Sequence, residues 1–246
     1  MNASELGEPP GGGRAGRRGG AGDTVWLRQE PSRPRRTPPL TRERIVQAAV
    51  ALLDEQGTEG LTVRRLAQRL GVTSTALYWH VKTKDDVLDL AVDHVFDEVE
   101  IPDAGAGWRD NVYELTARWR AVMLRHPWAP SLIGRPMLGP NVLARTEFLQ
   151  SALVRGGLTG VHLAVVTRLL ANYVIGAALT EATWRQAADP EARTAARQHI
   201  AANPAAYPTL VASGHLDDGR WSDDDLFERG VDAILATPQK GQPARS

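Results

Sequence analysis

No stretch of this chain alternates apolar and polar residues with the period of a strand; its repeats are those of amphipathic helices. Ile45, Ala48, Ala49, Leu52 and Leu53 fall at i, i+3, i+4, i+7 and i+8 and make one stripe. Thr41 precedes them as an N-cap, and Glu43 sits where its charge favours the positive end of the helix dipole. Gly57 is predicted to stop this helix and Gly60 to turn the chain. A shorter stripe of Val63, Leu66 and Leu70 follows a second hydroxyl cap, Thr62. It ends at Gly71, where a left-handed residue closes a helix at least steric cost. Thr73 then caps a third helix, running to His80, that turns Leu77 and Val81 inward. Thr83 and Asp86 have the form of a capping box. They open a fourth helix with Val87, Leu88, Ala91 and Val95 on its apolar face and an end near Val99.

The stretch from Pro102 to Gly107 breaks the pattern and marks a boundary. Beyond it, a helix from Trp108 to His126 points Val112, Leu115, Trp119, Val122 and Met123 inward, and Pro127 ends it. A loop with Pro130, Gly134, Pro136, Gly139 and Pro140 leads to a helix over about Asn141 to Arg155. The apolar run from Val161 to Ala182 is long enough to cross a membrane. His162, Arg168, Asn172 and Glu181 are spread through it, so it reads as a buried helix of a soluble bundle, with no membrane partner. Gly176 and Thr180 would permit a close helix crossing there. Ser222 and Asp225 form another capping pair, ahead of Leu226, Phe227, Val231, Ile234 and Leu235. The segment from Pro204 to Pro208 and the loop to Trp221 read as irregular. The fold class expected is therefore all-α.

The outer face of the third helix carries Ser74, Thr75, Tyr78 and His80, with Lys82 and Lys84 just beyond and no acid. Hydrogen-bonding groups on such a face suit base edges in a DNA major groove, and the lysines suit phosphates. Two short helices joined by a tight turn, with this face outward, form a helix-turn-helix.

Ala67-Gln68-Arg69-Leu70-Gly71-Val72, followed by Leu77-Tyr78-Trp79-His80-Val81-Lys82-Thr83-Lys84, resembles the DNA-binding domain of the tetracycline-repressor family. The resemblance implies an N-terminal three-helix DNA-binding domain with a connecting helix (41–101). A C-terminal helical effector-binding and dimerisation domain (107–238) and a short tail (239–246) would follow. It also implies a cytoplasmic bacterial homodimer, a repressor released from a palindromic double-stranded DNA operator by a small-molecule effector. The helix at 161–182 and the last helix resemble the family's dimerisation pair. By motif match, Thr62, Arg64, Thr73, Ser74, Thr75, Ala76, Tyr78, Trp79, His80 and Lys84 face DNA. Ser74, Thr75 and Ala76 would read bases, whereas Tyr78, His80 and Lys84 would hold phosphates. Trp79 is open between DNA contact and packing on the first helix. The histidines with which the tetracycline-binding member holds a drug–magnesium chelate have no match, as Glu100 and Ser131 fall near two of those positions. The effector class stays open. An activator or autoregulator without a releasing ligand is the alternative.

Charge sharpens this picture. The 246 residues balance 29 basic against 29 acidic side chains, yet seven arginines meet four acids before residue 41, while the region after residue 84 is acidic in excess. A basic front suits a polyanion. Residues 1–40, rich in Gly, Pro and Arg, are too poor in apolar groups for a core. Arg33, Arg35 and Arg36 there are candidates for a minor-groove arm, against the reading of a solvated tail. Trp26 has no assigned role.

Enzyme chemistry finds little support. The chain has no cysteine, no glycine-rich phosphate loop and no Gly-x-Ser-x-Gly elbow. It carries no apolar leader segment, and a reducing cytosol is expected. His94 with Asp97 or Glu98 could form a metal pair, but such a trio is more often a solvated helix face, and neither metal nor cofactor is expected. Trp119, Trp128, Phe148 and Tyr173 are candidates for lining an effector pocket, against the reading that they are core.

Overall fold

Five of the described helices open on a hydroxyl that accepts a backbone N–H three residues on, and those caps set the layout of the chain. The structure is a computed structural model that describes residues 39–103, 105, 107–132, 138–186, 191–217 and 219–236. Trp26, Arg33, Arg35, Arg36, Gly134, Pro136 and the 239–246 tail lie outside the described residues. Thr41, Thr62 and Thr73 each accept a backbone N–H three residues on, opening α1 (Arg42–Gly60), α2 (Val63–Leu70) and α3 (Ser74–Tyr78). Thr83 and Asp86 form the full reciprocal capping box of α4 (Lys84–Asp97). Ser222 caps the last helix, α10 (Asp223–Leu235). Between them lie α5 (Trp108–Arg125), a 3₁₀ turn (Pro130–Leu132), α6 (Pro140–Arg155), α7 (Gly160–Gln186), α8 (Ala192–Ala202) and α9 (Pro208–Ser213). No strand occurs among the described residues, and the protein is all-α.

The first four helices, here the head, close around Ile45, Leu53, Leu66 and Leu77, each at most 1% exposed. Gly57 leaves the helical region (φ 65°, ψ −173°) and kinks α1, so that Thr58 begins a last, separate turn. Gly71 is left-handed (φ 67°) and returns its N–H to α2 carbonyls, which is the tight turn of the motif. The third helix is shorter than expected, ending at Tyr78 instead of His80. Four residues separate Tyr78 from Thr83, and within them the backbone must swing round to start α4. Val81 nonetheless stays buried and still donates to Leu77 O at 3.0 Å.

In the remaining helices, the core, Val112, Leu115, Trp119, Val122 and Met123 of α5 are all buried as their spacing predicts. The long apolar helix α7 is buried on one face only. Val166, Leu170, Val174 and Ala178 point into the core, while Val161, Val165, Leu169 and Leu179 are 41–80% exposed. The expectation of a buried helix is corrected to that extent, because among the described residues no element covers its outer side. The segment expected to be irregular contains part of a helical pair instead: α8 is followed by turns at 203–207, and Pro208 opens α9 at its first position. Neither helix buries a residue, so neither leaves an apolar stripe in the sequence.

Arg120 ties three core helices together. It donates to Glu181 of α7 (2.6 Å) and Asp224 of α10 (2.6 Å), and its guanidinium lies 4.8 Å from the Phe227 ring centroid. Tyr173 of α7 stacks on Phe227 at 5.5 Å and donates to Leu226 O at 2.8 Å. Gly230 of α10 makes room for that tyrosine, since a Cβ there would overlap its ring. Gly230→Ala should therefore destabilise the protein. Displacing Tyr173 costs about 1–3 kcal/mol and loses a hydrogen bond, outweighing the gain of up to about 1 kcal/mol in helix propensity. Urea denaturation checks this, and a more stable variant would contradict it.

Candidate nucleic-acid interface and effector cavity

At the head, two helix caps fall on residues that the sequence predicts to face DNA. The Thr62 and Thr73 hydroxyls accept Arg65 and Ala76 N–H at 3.2 Å each, so both begin a helix and keep a hydroxyl proton to donate outward. Arg64, Ser74 and Thr75 are exposed and Ala76 is half-buried, while Leu77 behind them is fully enclosed. Tyr78 is 52% exposed and Trp79 85% exposed. The tryptophan therefore does not pack on α1; its ring stands in solvent, an unusual place for a large apolar surface unless a partner covers it. His80 is half-buried. Lys84 Nζ donates to Thr58 O at 2.8 Å, holding the last turn of α1 beyond the Gly57 kink. An ammonium has three donors, so this bond leaves protons for a phosphate. The motif residues thus gather at the α2 N-terminus, along α3 and in the turn after it.

The four aromatic candidates of the core do not share one site. Trp119 is buried edge-on against Phe96 of α4, with ring centroids 5.3 Å apart, and its indole N–H has no acceptor among the described residues. Trp128 donates its indole N–H to Asp54 of α1 at 2.6 Å, which makes it part of the head–core junction. Phe148 is half-buried against the core. Only Tyr173 lines the cavity of about 440 Å³ between α5, α7 and α10, together with Trp184, Phe227, Arg120, Glu181 and Arg193 among others. Charge pairs already neutralise the cavity wall: Arg120 with Glu181, and Arg193 with Asp223 at 3.2 Å.

Sequence reasoning missed the junction that surrounds Trp128. His126 Nδ1 lies 2.7 Å from Asp54 Oδ1, and its Nε2 lies 3.1 Å from Glu98 Oε1, at the end of α4. Arg125 reaches the other oxygen of Glu98 at 2.7 Å, and these partners hold the Glu98 carboxyl below its ordinary value against the opposing effect of burial. The head, the connecting helix and α5 meet in this cluster. Its partners lie 28 and 72 positions apart in the chain, so no local pattern announces them. Among the described residues no group of three or more His, Cys, Asp or Glu side chains is arranged to hold a metal.

Residues 45–91 match the profile of bacterial regulatory proteins of the tetR family, and residues 101–237 match the tetracyclin repressor-like C-terminal domain. An HTH-type transcriptional regulator of Saccharopolyspora erythraea is 43% identical over 219 residues, spanning 88% of this chain and 92% of its own. The HTH-type transcriptional repressor DrrR1 of Streptomyces coeruleorubidus is 32% identical over 208 residues, or 80% of this chain and 77% of its own. The Streptomyces coelicolor protein ActR, solved in complex with actinorhodin, superposes with a TM-score of 0.71 at 31% identity, covering 81% of this chain and 95% of that one.

Lys84→Ala should weaken binding to every DNA sequence alike and lower the salt slope by about one, the signature of a lost phosphate contact. Because Lys84 also holds Thr58 O, a drop in stability of about 1 kcal/mol or less should accompany it. Fluorescence anisotropy at several salt concentrations measures the first effect. Discrimination lost at one base pair, with the salt slope unchanged, would make Lys84 a base reader instead.

Proposed function

The chain belongs to the tetR family of bacterial regulatory proteins, and from that premise we propose that it is a homodimeric repressor which a small molecule releases from a palindromic operator. As a member of that family it is a DNA-binding transcriptional regulator and not an enzyme. The observation that carries the finer reading is the open outer face of α3, where Tyr78 and Trp79 are left exposed beside the exposed Ser74 and Thr75. In a dimer, two such faces would enter successive major grooves about 34–36 Å apart. Thr62, Arg64, Tyr78, Trp79, His80 and Lys84 would hold the backbone while Ser74, Thr75 and Ala76 meet base edges. A cytoplasmic location fits this role.

Repression is supported by the name of the DrrR1 relative, and release by a ligand is supported by the actinorhodin complex of ActR. The cavity beside Tyr173 has the volume of a small-molecule site and walls of aromatic rings with paired charges. We take 41–101 as the DNA-binding domain and 107–238 as the effector and dimerisation domain. Activation without a releasing ligand is the reading that a transcription assay on the bound promoter would separate from repression.

Anisotropy titration of labelled DNA from upstream of the gene should show tight, salt-dependent binding of two protomers. Tyr78→Ala should abolish the tight phase with little change in folding, since the side chain is half exposed. Weak binding to all fragments alike would count against a site-specific regulator of its own promoter.

Dimerisation is inferred from the apolar outer stripe of α7, with Val161, Val165, Leu169 and Leu179, and from exposed Leu226 on neighbouring α10. A self-complementary four-helix seam would cover this stripe. Leu169→Glu should yield a helical monomer in size-exclusion light scattering, whereas a dimer that persists would place the seam elsewhere.

A further inference from the structure

α4 and α6 cap each other. Gly139, the N-cap of α6, has no side chain to offer, and Pro140 follows it, so the first N–H groups of α6 need an acceptor from elsewhere. Asp93 of α4 supplies it: Oδ1 accepts Asn141 N–H at 3.0 Å and Val142 N–H at 3.1 Å, and Oδ2 accepts the Asn141 amide at 3.2 Å. One turn further along both helices the roles reverse. Arg145 of α6 donates Nη2–H to Asp97 O and Nε–H to Val99 O, each at 2.8 Å, at the carbonyl end of α4. Its side chain is only 11% exposed and lies 3.5 Å from the Asp97 carboxylate. A carboxylate thus meets the positive end of one helix, and a guanidinium the negative end of the other.

We propose that Asp93 and Arg145 are positioning residues for DNA binding, a two-point clamp that fixes the axis of α4, and with it the head, to α6 of the core. One contact would leave α4 free to swing about it; two contacts a turn apart define a direction. A slip of α6 along α4 breaks every one of these bonds together, so the register has one well and no intermediate stops. Gly139 belongs to the device, because a Cβ there would overlap the Asp93 carboxyl. Its backbone (φ −69°) suits any residue, so that overlap is the direct cost of a side chain at this position. Nothing in the clamp requires an effector or a second subunit.

Because the chain has no cysteine, spin labels can be placed cleanly in the full-length protein at Gln68→Cys on α2 and Ala121→Cys on α5, both exposed. Dilution with unlabelled protein leaves one labelled protomer per molecule, and pulsed dipolar spectroscopy then reads the head-to-core distance. The parent should give one narrow distribution. Asp93→Ala, Arg145→Ala and Gly139→Ala should each broaden or shift it by several ångström while circular dichroism keeps the helix content. The Asp93→Ala/Arg145→Ala double variant should add little to either single change, and Arg145→Lys should recover part of the narrow population. A merely structural role would lower the melting temperature and leave the distribution narrow, and that result overturns the proposal. If either charge deletion fails to fold, Gly139→Ala decides alone, since it keeps both charged side chains. The distance readout contains no DNA, so a failure to find an operator would leave it intact.

Discussion

One helix has to belong to two packing units at once, and the rest of the molecule is arranged around that constraint. α4 packs on α1 in the head and on α5 and α6 in the core. Its start is fixed by the Thr83–Asp86 capping box, directly after the turn that carries Trp79 and His80. Its far end is held by Arg145 on the last carbonyls, by His126 and Arg125 on Glu98, and by Trp119 against Phe96. A helix with one loose end would fray and absorb motion locally. With both ends satisfied, α4 is built as a rod, and a tilt of it would carry α3 along.

Charge placement follows the same division. Among the described cations of the head, Lys84 holds Thr58 O, Arg65 reaches Gly60 O at 3.2 Å, and Arg69 pairs with Glu55 at 2.7 Å. In the core the arginines are spent between helices, as with Arg120 on Glu181 and Asp224, or Arg145 on the α4 terminus. Arg64 and Lys82 of the head lie exposed, whereas the core arginines named here are committed to internal pairs. Burying Arg120 and Glu181 together is a costly way to join helices, and pairs of this kind set alignment more than they add stability.

The head was almost fully legible because its signals are local. A hydroxyl cap acts over three residues, a stripe over seven or eight, and a left-handed glycine at one position. Thr41, Thr62, Gly71, Thr73 and Thr83 could each be assigned without knowing the rest of the fold. What stayed hidden depends on distance along the chain or on the absence of burial. Trp128 reads as a pocket aromatic until its partner Asp54, 74 positions earlier, is in view. Asp93 and Asn141 are 48 positions apart, and nothing near either residue predicts the other. α8 and α9 bury nothing, so periodicity had no stripe to detect, and α7 looked wholly internal because Val161, Val165, Leu169 and Leu179 on its open side are as apolar as Val166, Leu170 and Val174 inside. Long-range polar pairs and surfaces kept for another molecule escape the same kind of reading.

In the proposed repressor, simple magnitudes suffice for the far end of α4 to govern DNA binding. Its 14 residues make a rod about 21 Å long at about 1.5 Å per residue. A tilt of about 5° at the clamp then moves the other end by about 2 Å, a geometric consequence of that length. In the proposed dimer, α7 and α10 fix the base from which two such rods project. If the rods tilt in opposite senses, the spacing of the two α3 faces changes by about 4 Å, more than the base-pair rise of about 3.4 Å. One recognition face would then stand out of register with its half-site, without any loss of fold in the head. In that reading, a core that binds a small molecule would need only to tilt one well-capped helix slightly to release DNA. By linkage, DNA holding that helix in place must weaken the molecule's binding in equal measure.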